Sequence, residues 1–159
     1  MKTRQKIYSY LYKLISLKDY SEKELREKVK NKFKPEREIL DEVIEEFKQK
    51  GFIDDLRLAR NIISYKTDML YGPAKISEIL YIKGLNDFKE MVYEYFDNHI
   101  EQIEESLKEK ISKRYYVLSG KKDLKVYEKL LRYLIARGYD YGFSKKIVSE
   151  VMRNESDFS

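Results

Sequence analysis

Three short runs in this chain follow one local rule. Val43–Phe47 (VIEEF), Met91–Tyr95 (MVYEY) and Ile147–Val151 (IVSEV) each give two apolar residues, any residue, Glu and an apolar residue. Apolar positions one, three and four apart share a helical face and cannot alternate across a strand. The runs recur at roughly 50-residue intervals, which is how repeated helical modules read. Other pieces recur with them. YSEKEL at Tyr20–Leu25 matches YGPAKI at Tyr71–Ile76 in place, and KGLNDF at Lys83–Phe88 resembles RGYDYGF at Arg137–Phe143. The chain therefore parses into three repeats, 1–53, 54–98 and 99–159, each a three-helix module. Such modules are small to fold alone, and stacking them buries their remaining apolar faces.

The helical spacing predicts nine helices and almost no strand. The first three cover about 3–17, 21–33 and 35–50, the next three about 55–70, 73–83 and 87–98, and the last three about 100–117, 123–137 and 142–153. Ser21 with Glu24 three residues on is a capping box, each side chain satisfying an amide of the other residue. Gly51, Gly84 and Gly138 stop the helices before them. Pro35 and Pro73 stand where helices can begin, as proline in a first turn should. The expected fold is all-α.

Composition narrows the function classes. Charged residues make up 38% of the chain, and cysteine is absent, which removes disulfides and thiolate metal sites. That agrees with a reducing cytoplasm. No 18-residue apolar stretch exists to span a membrane, and the basic, Tyr-interrupted start lacks a signal-peptide pattern. The net charge of +5 is uneven. Residues 1–53 carry 14 Lys/Arg against 10 Asp/Glu, residues 54–98 carry 6 against 8, and residues 99–159 carry 13 against 10. Basic ends flank an acidic middle, which suits an anionic partner such as nucleic acid and equally suits a solvated helical surface.

GFIDDLRLAR, Gly51 to Arg60, raises the question of catalysis because it sets Asp54 beside Asp55. Asp54 falls at an N-cap position, where its carboxylate accepts an unpaired amide, and Asp55 falls in the first turn, where the helix dipole favours it. Adjacent helical residues point about 100° apart, a poor arrangement for sharing a proton or a metal. His99 is the single histidine and reads as a helix-end residue. No triad, phosphate loop or metal motif accompanies it. Asp54, Asp55 and Ser21 are therefore read as structural caps, and the chain as a non-enzyme.

Four segments together resemble the RecX family of regulatory proteins. DYSEKELREKV at Asp19–Val29 is similar to the family's first-repeat segment, and GFIDDLRLAR to its most recognisable signature. YGPAKISEILYIKGL at Tyr71–Leu85 and KLLRYLIARGYDY at Lys129–Tyr141 follow in the family's order. Ile79 stands where the family often has Glu, and Lys18 where a basic pair is common. The resemblance implies a bent rod of three stacked three-helix repeats without catalytic activity or cofactor. It implies a cytoplasmic, monomeric protein acting in DNA repair, recombination and the SOS response. Its implied partner is the RecA recombinase filament on single-stranded DNA, with weak binding to the DNA alone and reduced ATP hydrolysis and strand exchange. An autonomous DNA-binding protein with helix-turn-helix-like units is the alternative.

Contact candidates follow from charge and position. The densest basic cluster is Lys108, Lys110, Lys113 and Arg114, continued by Lys121, Lys122 and Lys125, with Tyr115 and Tyr116 between. A basic track with aromatics suits a phosphate backbone and a stacked base. The same residues also suit a helix C-terminus, and Tyr115 continues the apolar face of Leu107 and Ile111. Lys23, Arg26, Lys30 and Lys34, with Glu22 and Glu27 interspersed, read as a solvated stripe. In the second repeat Arg57, Arg60 and Lys75 are candidates for touching the filament, with an internal ion pair as the other role for Arg57.

Overall fold

The computed structural model describes residues 2–118 and 123–157. Among the described residues, nine α-helices run in order: α1 (Thr3–Leu17), α2 (Glu22–Phe33), α3 (Arg37–Gln49), α4 (Asp55–Asp68), α5 (Pro73–Ile82), α6 (Lys89–Asn98), α7 (Ile100–Val117), α8 (Leu124–Ala136) and α9 (Tyr141–Asp157). A 3-10 turn, Asn86–Phe88, precedes α6, and no strand occurs among the described residues. The protein is all-α, and no helix among the described residues is long and apolar enough to cross a membrane.

Two expected boundaries shift for local reasons. Pro73 opens α5, but Pro35 lies outside α3, whose N-cap is Glu36. Lys34 has already turned left-handed to close α2, its amide bonded to the Lys30 carbonyl at 3.1 Å. α4 stops at Asp68 rather than 70, where Leu70 takes a positive φ and donates to the Thr67 carbonyl at 2.8 Å.

The chain divides into two compact units. The N-terminal unit comprises Met1–Ile62 and Leu80–Phe88, and the C-terminal unit Ile63–Ile79 and Lys89–Ser159. The residues of the expected second repeat are shared between them.

In the N-terminal unit, Ile7, Leu11 and Leu14 of α1 meet Leu25 and Val29 of α2 and Leu40, Val43, Ile44 and Phe47 of α3. Each of these side chains contributes roughly 1.5–3 kcal/mol on full burial. Tyr8, Tyr12 and Phe52 place their rings 4.9–5.8 Å from Phe47, extending the core with half-wet tyrosines. The start of α2 is joined to the turn after α5. The Ser21 hydroxyl donates to the Lys83 carbonyl at 2.6 Å, and Lys83 Nζ lies 3.4 Å from Glu24. A Cβ on Gly84 would stand 2.6 Å from that of Lys23.

In the C-terminal unit, Ile103, Leu107, Ile111 and Tyr115 of α7 pack with Val126, Leu130 and Leu134 of α8 and Ile147, Val148, Val151 and Met152 of α9. A second joint closes here. The Gly72 amide donates to the Arg137 carbonyl at 2.7 Å, and the Ala74 amide to the Gly138 carbonyl at 3.0 Å. Gly138 has φ +103°, and a Cβ there would lie 2.4 Å from the Lys75 nitrogen. Only glycine serves a left-handed backbone at such a distance. In each unit, the start of a helix thus docks on a basic residue and glycine that end another: Ser21 on Lys83-Gly84, and Gly72 on Arg137-Gly138.

Candidate nucleic-acid interface

The paired aspartates are structural, and they serve different helices. Asp54 Oδ1 accepts the Arg57 amide at 3.0 Å, the N-cap bond of α4. Asp55 Oδ1 accepts the Glu22 amide at 3.0 Å and so caps α2. Ser21, fully buried, completes its capping box with Glu24 at 3.0 and 3.1 Å. Glu22 also takes Arg26 and Lys48, each at 2.9 Å, and Arg26 reaches Asp41 at 2.6 Å. Burial raises the Glu22 carboxyl, but the bonds from Lys48 and Arg26 outweigh it and hold the group below its ordinary range. Burial dominates at Asp55 and pushes its carboxyl up against the opposing Glu22 amide. Among the described residues, no cluster of three His, Asp or Glu could hold a metal. His99 stands at the N-cap of α7 with its ring stacked 4.0 Å from Tyr95 and Nδ1 2.8 Å from the Tyr95 carbonyl.

Several basic candidates are occupied by neighbours. Lys108 pairs with Glu150 at 2.6 Å, Lys113 with Glu109 at 3.4 Å, and Lys75 with Glu78 at 3.6 Å. Arg57 makes no ion pair among the described residues and instead donates to the Gly51 carbonyl at the end of α3, at 3.3 Å. Arg60 and Lys125 are exposed and Lys110 is half-buried. Lys121 and Lys122 lie outside the described residues. Tyr115 is a correction: it is 3% exposed in the α7–α8–α9 core, whereas Tyr116 is 64% exposed. Tyr115 continues the Leu107 and Ile111 row one turn on, so the core takes it and the next residue faces out.

The C-terminal unit assembles a series that spacing along the chain does not reveal. Lys66 stands 5.7 Å from the Tyr65 ring and 5.4 Å from the Tyr71 ring. The Arg137 guanidinium covers Tyr71 at 4.1 Å and lies 5.8 Å from Tyr133. Arg114 covers the other side of the series, 3.9 Å from Tyr133. Cations and rings therefore alternate from Tyr65 to Arg114, all within cation–π distance. Arg137 is fixed in place, because its Nε donates to the Leu70 carbonyl at 2.9 Å and its Nη2 to that of Met69. Neither Lys66 nor Arg114 has a carboxylate partner among the described residues. Their charges remain available to a phosphate, beside the exposed ring of Tyr65.

Known proteins resemble this chain over most of its length. No protein-family model matches the chain. The regulatory protein RecX of Actinobacillus pleuropneumoniae is 30% identical over 136 residues, covering 82% of this chain and 83% of that protein. The regulatory protein RecX of Clostridioides difficile is 29% identical over 142 residues, and the match spans 87% of this chain but 65% of that relative's length. The crystal structure of RecX from Lactobacillus salivarius has the same fold, with a TM-score of 0.77 at 20% identity over 94% of this chain and 96% of that one. The fold and these likenesses define an all-helical protein of a regulatory class. The chain belongs to the RecX family.

Proposed function

We propose that this chain binds along the RecA recombinase filament on single-stranded DNA and modulates it, mostly by inhibition, without chemistry of its own. Family membership carries the reading. The cation–ring series supports its nucleic-acid half, because Lys66 and Arg114 can meet the phosphates of a flexible single strand and the exposed Tyr65 ring can take a base. The acidic α6, with Glu90, Glu94 and Asp97 exposed, supports attraction to a basic protein surface. In this reading the chain is a cytoplasmic monomer without cofactor that serves DNA repair and recombination. It is built as three three-helix repeats, 1–53, 54–98 and 99–159, and the similar joints at Ser21–Lys83 and Gly72–Arg137 support that parsing. Affinity for single strands alone is weak.

The deciding experiment adds the protein to RecA on single-stranded DNA and follows ATP hydrolysis and strand exchange. Both rates fall as near-stoichiometric protein is added. Unchanged rates without filament binding at micromolar protein overturn the reading. Tight, sequence-selective duplex binding would place the chain with autonomous DNA-binding proteins of helix-turn-helix type instead.

A further inference from the structure

The C-terminal unit holds a cleft of about 230 Å³ whose lining includes none of the residues of the cation–ring series. Its walls include Tyr93, Phe96 and Asp97 of α6, Tyr139 and Asp140 before α9, and Phe143 in the first turn of α9. The Phe96 ring lies 5.3 Å from Phe143 and 6.2 Å from Tyr139, and Tyr139 stacks on Phe143 at 5.4 Å. Ring faces carry negative potential and attract cations. Two carboxylates border the same space, and no Lys or Arg lines it. Glu90 lies three residues before Tyr93 and Glu94 three before Asp97, so the exposed stripe beside the cleft, Lys89 apart, is acidic too.

Two helix starts adjoin the cleft and could in principle favour an anion. Their nearest amides are already committed. Ala74 donates to the Gly138 carbonyl at 3.0 Å, and Phe143 to Asp140 Oδ1 at 2.7 Å. Tyr139 is 3% exposed and its hydroxyl is buried, so it borders the cleft through its ring.

We propose that this cleft receives a lysine or arginine side chain presented by a protein partner. The aliphatic stem lies along Phe96 and Phe143, while the charged head meets Asp97 and Asp140. The acidic stripe of α6 extends the negative field beyond the cleft, over an area that a free amine would not use. The inference does not depend on the partner being a recombinase filament.

The test is an NMR titration of the full chain with N-acetyl-arginine amide, N-acetyl-lysine amide and, as the uncharged counterpart, N-acetyl-norleucine amide. The cationic probes should shift the Tyr93, Phe96 and Phe143 ring resonances saturably, at millimolar dissociation constants. The norleucine probe should bind roughly tenfold more weakly. The double variant Asp97→Asn, Asp140→Asn removes both charges, while Asn at 140 can still cap α9. It should weaken cation binding by roughly tenfold or more with the helical spectrum unchanged. Equal binding of norleucine would make the cleft a purely apolar slot and overturn the proposal. An unaltered affinity in the double variant, or no saturable shift by about 50 mM probe, a range that covers millimolar affinities, would overturn it as well.

Discussion

Asp55 caps a helix that begins 33 residues before it, accepting the Glu22 amide at 3.0 Å, while its neighbour Asp54 caps the helix to which both belong. The two carboxylates that most suggest a catalytic pair thus hold two separate helix starts. Asp54→Ala should cost about 1 kcal/mol, the usual value of an N-cap, and Asp54→Asn less, because Asn also caps. Asp55→Ala should cost a similar amount through α2. Urea melts of the three variants measure this. Losses confined to Asp54→Ala would remove the second cap from the account.

Acid should loosen the fold through Glu22 and not through Asp55. The Glu22 carboxyl is held below its ordinary value of 4.5, so its stabilisation is present above that pH and is lost as pH falls through the depressed folded value. Asp55 has the opposite sign. Its folded value lies above the ordinary 3.8, so its contribution is present below that pH and is lost as pH rises through the folded value. Glu22→Gln should therefore flatten the acid side of a stability–pH curve. Asp55→Asn keeps an acceptor for the amide and removes the charge, so it should be at least as stable as the parent at neutral pH, with the gap closing in acid. Solvent screening keeps both effects modest.

Two glycines separate backbone strain from close approach. Gly51 and Gly138 both have positive φ, but a Cβ at Gly51 meets nothing within 4 Å, whereas at Gly138 it meets the Lys75 nitrogen at 2.4 Å. Gly51→Ala should cost about 1–2 kcal/mol, the left-handed penalty alone. Gly138→Ala adds overpacking of about 1–3 kcal/mol. Chemical denaturation that found the two equal would mean that the Gly138 joint can spread without cost.

Salt dependence sorts the basic residues. Lys66→Gln and Arg114→Gln should each shallow the log–log salt slope of single-strand binding by about 0.7, the loss of one phosphate contact. Lys108→Gln should leave the slope unchanged, because Glu150 already holds that charge at 2.6 Å. Fluorescence anisotropy with a labelled oligonucleotide reads both, and the reverse order would assign the interface to the Lys108 face of α7.

Tyr139→Phe removes a buried hydroxyl that has no partner among the described residues. The variant should melt at or above the parent temperature, since an unsatisfied buried hydroxyl costs about 1–3 kcal/mol. A clear drop in melting temperature would mean that the hydroxyl is satisfied in solution.

The sequence resolves what is local. The limits of α1 and α7 follow from apolar spacing, and the start of α2 from Ser21 and Glu24, because caps and periodicity are settled within one or two turns. What it leaves hidden is set by residues far apart in the chain. Arg137 meets the Leu70 carbonyl across 67 positions, and no spacing rule links them. The alternation of Lys66, Arg137 and Arg114 with Tyr71 and Tyr133 therefore emerges only once α4, α7 and α8 are placed. The basic cluster from Lys108 onward is legible as charge, and so is its local i,i+4 pair of Lys113 with Glu109, but the claim of Glu150 on Lys108 appears only in the fold.

The Ser21–Lys83 joint also sets an order of events during synthesis. The hydroxyl and its acceptor carbonyl are 62 residues apart. At about 5–20 residues per second, the ribosome delivers Lys83 roughly 3–12 s after Ser21. Helices α1 to α3 can settle their shared apolar core in that interval, since helices form within microseconds. The start of α2 then waits, its serine hydroxyl still without an acceptor for its hydrogen, for the glycine turn that will cover it. The nascent chain should therefore pass from a protease-sensitive to a protease-resistant state at the α1–α2 turn only when residue 84 has cleared the exit tunnel.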